Sequence, residues 1–205
     1  MLRILGKFSS INVRKVTWAC DELDLAYTRE DWGIGFRDTN VPEYLALNPM
    51  AQVPVLIDGD FVLWESNTIV RYLAGAYGGE TLLPREPKAR ALVERWMDWQ
   101  ATDLNSSWKP AFHALKRGAP ASPEAVEASK TAWNKTVGKL DQQLAKTGAY
   151  VAGDAFTVAD IPVGLSVHRW LHTPLERPAY AGVDAYYARL KARPAFANSA
   201  DPGEP

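Results

Sequence analysis

The sequence predicts an α/β domain followed by an all-α domain. Strand and helix patterns alternate over residues 1–79, a proline-bearing segment follows at residues 80–87, and only helix patterns come after it. A length of 205 residues suits one or two small domains. We therefore expect residues 1–79 to form the first domain, residues 80–87 a linker, and residues 88–205 a helical domain.

The first domain has the element order of the thioredoxin fold. A strand pattern over residues 2–8 precedes a helix pattern, which is marked by apolar residues spaced by three and four, namely Val13, Val16, Cys20 and Leu23. A second strand follows at residues 25–29, and Pro42 lies in the first turn of a second helix. Strand patterns on both sides of Asp58-Gly59-Asp60 predict a tight hairpin, and a third helix begins at Ser66. With a right-handed crossover between the first two strands, this order predicts a thioredoxin-like sheet.

The rest of the chain is predicted to be helical. Pro110 is expected to break or kink a long first helix. Ser122-Pro123 begins another helix, with Ser as its cap and Pro at the first helical position, and Gly148 ends it. Thr157-Val158-Ala159-Asp160 then has the pattern of a capping box, with Asp in place of the usual Glu.

The composition argues against several functional classes. The chain has 23 Lys+Arg and 24 Asp+Glu, and a net charge of −1 provides no basic field for nucleic acid. No apolar run approaches the ~20 residues that a membrane span needs. The N-terminal residues lack the apolar stretch of an export signal, and the single cysteine, Cys20, excludes an internal disulfide. We therefore expect a cytoplasmic protein without nucleic-acid or membrane partners.

The loop between the first strand and the first helix is a candidate reactive site. Thioredoxin folds usually carry two cysteines there, whereas this loop has Ser9, Ser10 and Asn12, and Cys20 lies in the middle of the helix. A reacting thiol must therefore come from the substrate. The Ser10 hydroxyl and the backbone N–H groups of the helix start would favour a negatively charged sulfur. The alternative interpretation is that these residues only cap the helix.

Two further segments predict ligand contacts. Gln52-Val53-Pro54 precedes a strand, and proline at this position is consistent with a cis peptide bond that exposes the backbone of Val53. Glu65-Ser66 closes the hairpin and opens the third helix, so it combines a helix N-terminus, a hydroxyl and a carboxylate. Such groups suit a ligand with an amine and a carboxylate. The alternatives are an ordinary trans strand start and a simple helix cap.

These segments, together with Gly153-Asp154-Ala155-Phe156-Thr157-Val158-Ala159-Asp160, resemble those of a cytosolic glutathione S-transferase. The resemblance covers nearly the whole chain and implies the glutathione S-transferase fold. It is similar to the serine-type, theta- or beta-like bacterial branch, because neither Tyr nor Cys stands at the first loop.

The resemblance also implies roles for individual residues. Reduced glutathione would be the co-substrate, and no metal would be needed. Glu65-Ser66 would hold its γ-glutamyl end, and Gln52-Val53-Pro54 would bind its cysteinyl part through the backbone of Val53. Ser10 would steady the thiolate, with Asn12 assisting or replacing it.

The position of the second substrate is predicted from aromatic residues. Trp108, Phe112 and His113 lie far enough along the long helix to face the first domain, and Trp32 and Phe36 lie on the loop after the second strand. These side chains could line a pocket for a small hydrophobic electrophile. The alternative is that most of them belong to the core or to an interface.

The expected activity is conjugation of glutathione to that electrophile by a homodimer, a reaction of detoxification. One alternative is a non-catalytic, glutathione-transferase-like binding protein. Another is a glutathione-dependent peroxidase, isomerase or dehalogenase on the same fold. A metal site at His168 and His172 is not expected, although the two share a helical face, because no cysteine or evident carboxylate partner lies nearby.

Overall fold

The computed structural model describes residues 1–200, which form two compact units. The first unit comprises Met1–Pro84 and the segment that begins at Pro194, and the second comprises Arg85–Arg193. The sequence assigned everything after residue 87 to the helical domain, so the structure differs at the C-terminal end. Residues 201–205, which that prediction included, lie outside the described residues.

The helices and strands follow the predicted order. Those of the first unit are β1 (Leu2–Leu5), α1 (Ile11–Glu22), β2 (Tyr27–Glu30), α2 (Pro42–Leu45), β3 (Val55–Asp58), β4 (Phe61–Trp64), α3 (Ser66–Tyr77) and α4 (Gly79–Leu82). Those of the second unit are α5 (Pro87–Trp99), a π-helical segment (Gln100–Leu104), α6 (Asn105–Arg117), α7 (Pro123–Thr147), α8 (Asp160–Leu171) and α9 (Ala181–Lys191). The chain then returns to the first unit as α10 (Pro194–Ser199).

The sheet has the thioredoxin-like arrangement that the sequence predicts. Its strand order is β2-β1-β3-β4, with β1 parallel to β2 and antiparallel to β3. Asp58 pairs with Phe61 across the predicted hairpin, and Gly59 takes the positive φ of 62° that the turn requires. One face of this sheet carries a core cluster of Leu5, Trp32, Tyr44 and Val55. Trp32, which was expected to line a pocket, packs its ring into this cluster and is 8% exposed.

The predicted linker is partly folded. Its first residues belong to α4, and Leu82 and Leu83 are buried at the end of that helix. Two adjacent leucines bury enough apolar surface to fix this part of the connection. At the other end of the chain, Phe196 of α10 packs on Trp18 of α1 with ring centroids 4.9 Å apart. This contact explains why α10 belongs to the first unit.

The long helix of the second unit is interrupted earlier than predicted. The π-helical segment separates α5 from α6, and α6 continues through Pro110. Ser129 of α7 satisfies the backbone next to the proline. Its hydroxyl accepts a hydrogen bond from the Ala111 N–H (3.1 Å) and donates one to the Ser107 carbonyl (2.8 Å). The proline is tolerated because a neighbouring helix supplies the partners that its own helix lacks there.

The capping pattern before α8 forms a buried hydrogen-bond cluster. The Asp160 carboxylate accepts bonds from the backbone N–H groups of Val151 (3.0 Å) and Thr157 (2.8 Å) and from the Tyr186 hydroxyl (3.1 Å). Burial raises the pKa of Asp160 to about 6, although these hydrogen bonds act in the opposite direction.

None of the helices within residues 1–200 combines the length and the apolar character that a membrane-spanning helix needs.

Candidate functional site

One cavity of the first unit collects most of the predicted ligand contacts. It has a volume of about 140 Å³ and is formed at the start of α1, in the segment before β3 and at the junction of β4 with α3. Its lining residues are Asn12, Asn48, Met50, Gln52, Val53, Pro54, Trp64, Glu65 and Ser66. The cavity has room for an amino-acid-sized group, which is less than a drug-sized ligand needs. Segments that are far apart in the sequence therefore meet at one site.

The start of α1 presents open hydrogen-bond donors. Ser10 occupies the N-cap position in an extended conformation, and its side chain makes no hydrogen bond to the first-turn N–H groups. The hydroxyl is therefore not used as the cap that the alternative interpretation requires. No acidic residue lies in the first turn. Asn12 lines the cavity, whereas Ser9 and Ser10 lie beside it, half-buried, without being part of its lining.

The protein's own thiol is unsuited to reaction. Cys20 is fully buried in α1, and burial raises the pKa of its thiol to about 12. Because this pKa lies far above neutral pH, the Cys20 thiol is protonated there. A thiol is nucleophilic only as the thiolate, so Cys20 is not a candidate nucleophile.

Hydrogen bonds hold the segment before β3 in place. The Gln52 carbonyl accepts one bond from the Tyr44 hydroxyl and one from Asn48 Nδ2, both of 2.8 Å. Asn48 Oδ1 in turn accepts a bond from the Met50 N–H (2.9 Å). The Val53–Pro54 peptide bond is cis, and strand pairing of β3 begins only at Val55. The peptide of Val53 therefore lies outside the ladder, at the cavity.

A glycine that the sequence analysis did not single out allows these segments to approach each other. Gly6 follows β1 with φ 154°, and a Cβ built there would lie 2.5 Å from Val13 Cγ2 and 3.0 Å from Val53 Cβ. Any side chain would push apart β1, α1 and the segment before β3. A glycine inside the strand predicted at residues 2–8, close to the candidate loop, was the available signal.

The junction of β4 and α3 carries an unusual backbone. Glu65 has φ 72° and ψ 104°, and Ser66 is the first residue of α3. A non-glycine residue with positive φ costs about 1–3 kcal/mol, and such strain persists where surrounding structure holds it. The Glu65 side chain does not cap this helix start, and a helix N-terminus favours an anion. Lys15 of α1 donates to Asn67 Oδ1 at 3.1 Å and ties the two helix starts together.

The predicted electrophile residues are less open than expected. Trp108 is 8% exposed and Phe112 is 2% exposed, so neither ring is a freely accessible wall. The Arg169 guanidinium covers both rings, at 4.5 Å and 4.2 Å from their centroids. His113 is exposed and lies beside both rings. Partial desolvation by the neighbouring rings lowers the pKa of His113, and the nearby cations Arg117, Arg169 and Lys109 lower it further.

His168 of α8 and His172, which directly follows that helix, lie close together with their ring planes tilted by 31°. The rings of His168 and His172 are 4.1 Å apart, and His168 Nδ1 lies 2.8 Å from the Tyr187 hydroxyl. The part of the chain that the structure describes contains no group of three or more side chains that could hold a metal ion.

The chain is similar to known proteins in both sequence and fold. Residues 1–75 match the family described as Glutathione S-transferase, N-terminal domain. Glutathione S-transferase GstB of Escherichia coli K12 is 34% identical over 199 residues, covering 95% of both chains. A theta-class glutathione S-transferase of Xanthomonas axonopodis, crystallised with glutathione bound, has a TM-score of 0.91 and 38% identity, covering 97% of this chain and 96% of that one. A delta-class glutathione transferase of Nilaparvata lugens has a TM-score of 0.89 and 26% identity, covering 100% and 95%.

Proposed function

Because the chain belongs to the glutathione S-transferase family, we propose that it binds reduced glutathione in the cavity of the first unit. It then conjugates glutathione, through its sulfur, to a small hydrophobic electrophile. The observation that carries the proposal is the meeting of Asn12, Gln52-Val53-Pro54 and Glu65-Ser66 around one cavity. The structure of the Xanthomonas relative, which holds glutathione, supports it.

The cavity offers complementary groups to the γ-glutamyl end of glutathione. The Glu65 carboxylate would pair with the amine, and the Ser66 hydroxyl at the N-terminus of α3 would bind the carboxylate. The backbone of Val53 would hydrogen-bond the cysteinyl residue in the manner of an added strand. These three contacts direct the sulfur toward the start of α1.

The start of α1 would lower the pKa of the bound thiol. A free thiol has a pKa near 8.5, and lowering it by two units takes about 2.7 kcal/mol. One hydrogen bond to a charged acceptor contributes about 1.5–3 kcal/mol, and a helix N-terminus adds about 0.3–2 kcal/mol. Together the Ser10 hydroxyl and the first-turn N–H groups would supply about 1.8–5 kcal/mol, a range that includes the 2.7 kcal/mol needed. Asn12 is a second candidate donor, because it lines the cavity.

The reaction would need no nucleophile from the protein. The thiol proton passes to solvent, the thiolate sulfur forms a bond to the electrophilic carbon, and the leaving group departs with its electron pair. Trp108, Phe112 and His113 would contribute the electrophile site on the helical unit. Catalysis would come from thiolate stabilisation and proximity.

The setting of this activity is also proposed. We propose that the protein acts in detoxification as a homodimer, as the family resemblance implies, and that it is cytoplasmic, as its single cysteine indicates. Sedimentation equilibrium of the purified chain measures the oligomeric state, and a single 22.7 kDa species would contradict the homodimer.

The deciding experiment measures glutathione binding by calorimetry and the pKa of the bound thiol from thiolate absorbance at 240 nm. We expect Ser10→Ala to raise that pKa and to lower turnover of 1-chloro-2,4-dinitrobenzene at neutral pH. Asn12→Ala and Ser9→Ala are the matched comparisons. If only one of these two variants raises the thiol pKa, that residue stabilises the thiolate in place of Ser10. Wild-type protein that neither binds glutathione nor turns over the electrophile would overturn the proposed function.

A separate variant tests the γ-glutamyl contact. Glu65→Gln removes the charge and keeps the shape, so we expect glutathione binding to weaken by about 1.5–3 kcal/mol. Glu43→Gln, in the first turn of α2 and outside the cavity lining, is the control. Equal affinity of Glu65→Gln and wild type would remove Glu65 from the site.

A further inference from the structure

The connection between β1 and α1 contains a tight turn that leads to the proposed thiolate-binding residue. The Ser10 N–H donates a hydrogen bond to the Lys7 carbonyl at 3.1 Å, which closes the turn. Ser10 is then the N-cap residue of α1. We refer to residues 7–10 as the Ser10 turn. Because the turn is so short, the position of the Ser10 hydroxyl depends on the contacts that hold the first residues of the turn.

The backbone of β2 and of the residues after it binds the start of this turn. The Gly6 N–H donates to the Glu30 carbonyl at 2.8 Å. The Lys7 N–H donates to the Trp32 carbonyl at 3.0 Å, and the Lys7 ammonium donates to the Ile34 carbonyl at 3.0 Å. Backbone pairing with the neighbouring strand therefore continues past the end of β1 and into the Ser10 turn.

Arg29 of β2 adds side-chain contacts at the same place. Its Nη1 donates to the Gly6 carbonyl at 3.0 Å, and its guanidinium carbon lies 5.9 Å from the centroid of the Phe8 ring. The Asp31 carboxylate accepts a hydrogen bond from the same nitrogen and so fixes the guanidinium. Hydrogen bonds from a charged donor are about twice as strong as neutral ones, and Arg stays charged at physiological pH. Arg29 therefore holds both the residue before the turn and an aromatic ring within the turn.

We propose that Arg29 is a positioning residue for the glutathione thiolate, because it holds the Ser10 turn in the geometry that directs the Ser10 hydroxyl and the start of α1 at the bound sulfur. The inference rests on the proposed function and adds a residue to it. Arg29 does not belong to the cavity lining, so it acts through the turn. Its guanidinium is paired with the Asp31 carboxylate, so we attribute the effect to geometry and not to the charge of Arg29.

The test variant is Arg29→Met, which keeps the apolar stem and removes the guanidinium. We expect the pKa of the bound glutathione thiol, read from thiolate absorbance at 240 nm, to rise from about 6.5 to about 7.5. Turnover of 1-chloro-2,4-dinitrobenzene should then fall about fivefold at pH 6.5 and return close to the wild-type rate at pH 8.5, where both thiols are ionised. Glutathione affinity at pH 6.5 should fall about twofold at most, because the contacts of Val53 and Glu65-Ser66 remain. A variant that had only lost stability would not show this pH dependence.

Arg3→Met is the matched control, because it removes a guanidinium that is also paired with a carboxylate in the same sheet. Within the described residues, the Arg3 side chain bonds to Glu30 at 2.7 Å and not to the turn. We expect Arg3→Met to leave the thiol pKa unchanged. Arg29→Lys keeps a charged donor for the Gly6 carbonyl and should restore at least about half of the pKa change. An unchanged thiol pKa in Arg29→Met, or an equal rise in Arg3→Met, overturns the proposal.

A measurement without ligand separates this inference from the proposed function. Hydrogen exchange of the Ser10 amide, followed by NMR in the free protein, should be at least about tenfold faster in Arg29→Met and unchanged in Arg3→Met. If wild-type protein bound no glutathione, the proposed function would be refuted, and faster Ser10 exchange in Arg29→Met would still support the ordering of the turn by Arg29. Normal glutathione turnover in wild type, with the same thiol pKa and the same Ser10 exchange in Arg29→Met, would refute the role of Arg29 alone.

Discussion

The Gln52 carbonyl is the point at which the core of the first unit is connected to the proposed glutathione site. Tyr44 is fully buried, and Tyr44→Phe removes one of the two donors to this carbonyl while keeping the ring. A neutral hydrogen bond contributes about 0.5–1.5 kcal/mol, so we expect the free energy of unfolding to fall by about 1 kcal/mol. Because Val53 directly follows Gln52, we also expect glutathione to bind about three- to fivefold more weakly.

Asn48→Ala tests the second donor to the same carbonyl. Asn48 donates to Gln52 and accepts from Met50, so two hydrogen bonds are lost and we expect a cost of about 2 kcal/mol. The double variant with Tyr44→Phe leaves the carbonyl without either donor. Its destabilisation should therefore exceed the sum of the single losses by about 1 kcal/mol.

Tyr27→Phe is the matched control for this experiment. It removes a tyrosine hydroxyl that donates to Asp21 Oδ1 at 3.2 Å, in the same unit and outside the cavity lining. Urea denaturation should show a comparable loss of stability, while calorimetry should show unchanged glutathione affinity. If Tyr27→Phe weakens glutathione binding as much as Tyr44→Phe does, the loss comes from general destabilisation and the reasoning is wrong.

Three further variants test other parts of the structure. Gly6→Ala places a Cβ 2.5 Å from Val13, so we expect a loss of about 3 kcal/mol in urea denaturation together with weaker glutathione binding; wild-type stability would refute the close approach. Ser129→Ala removes the bridge within α6 and should cost about 1–3 kcal/mol, whereas an unchanged unfolding midpoint would show that the bridge is dispensable. Hydrogen bonds from the hydroxyls of Tyr77 and Tyr72 lower the pKa of Asp58. The stability that these bonds provide is therefore present above the unfolded pKa of Asp58 and is lost as the pH falls. Tyr77→Phe should therefore be less stable than wild type at pH 7, with a difference that shrinks toward pH 3, and a pH-independent difference would contradict this origin.

Local patterns were sufficient for most of the fold. The Asp58-Gly59-Asp60 turn, the Ser122 cap and the Gly148 helix end are set by residues close in sequence, and the structure has each of them as predicted. The continuation of α6 through Pro110 and the assignment of α10 to the first unit depend on distant partners. Ser129 compensates for Pro110 from another helix, and Phe196 is assigned to the first unit by its contact with Trp18. Such contacts leave no periodic signal in a single sequence.

The candidate site, like the fold, could be predicted only where the signal lies in residues close in sequence. The segments Gln52-Val53-Pro54 and Glu65-Ser66 could be identified because proline, serine and glutamate mark strand and helix starts. Tyr44 and Asn48 could not, because each looks like an ordinary residue of a short helix or its end until the chain brings it to the Gln52 carbonyl. The sequence predicted several residues that line the cavity, but not the residues that position them.

The helix α1 creates two opposite environments for sulfur within one element. In its interior, burial raises the pKa of Cys20 to about 12, so on the order of one molecule in 10⁵ carries a thiolate at pH 7. At its start, uncapped N–H groups and the Ser10 hydroxyl favour the charged form of any thiol placed there. A thiol whose pKa is lowered by two units, to about 6.5, would be mostly ionised at the same pH. The difference between the two positions explains why a protein with a cysteine of its own would still depend on the sulfur of a bound tripeptide.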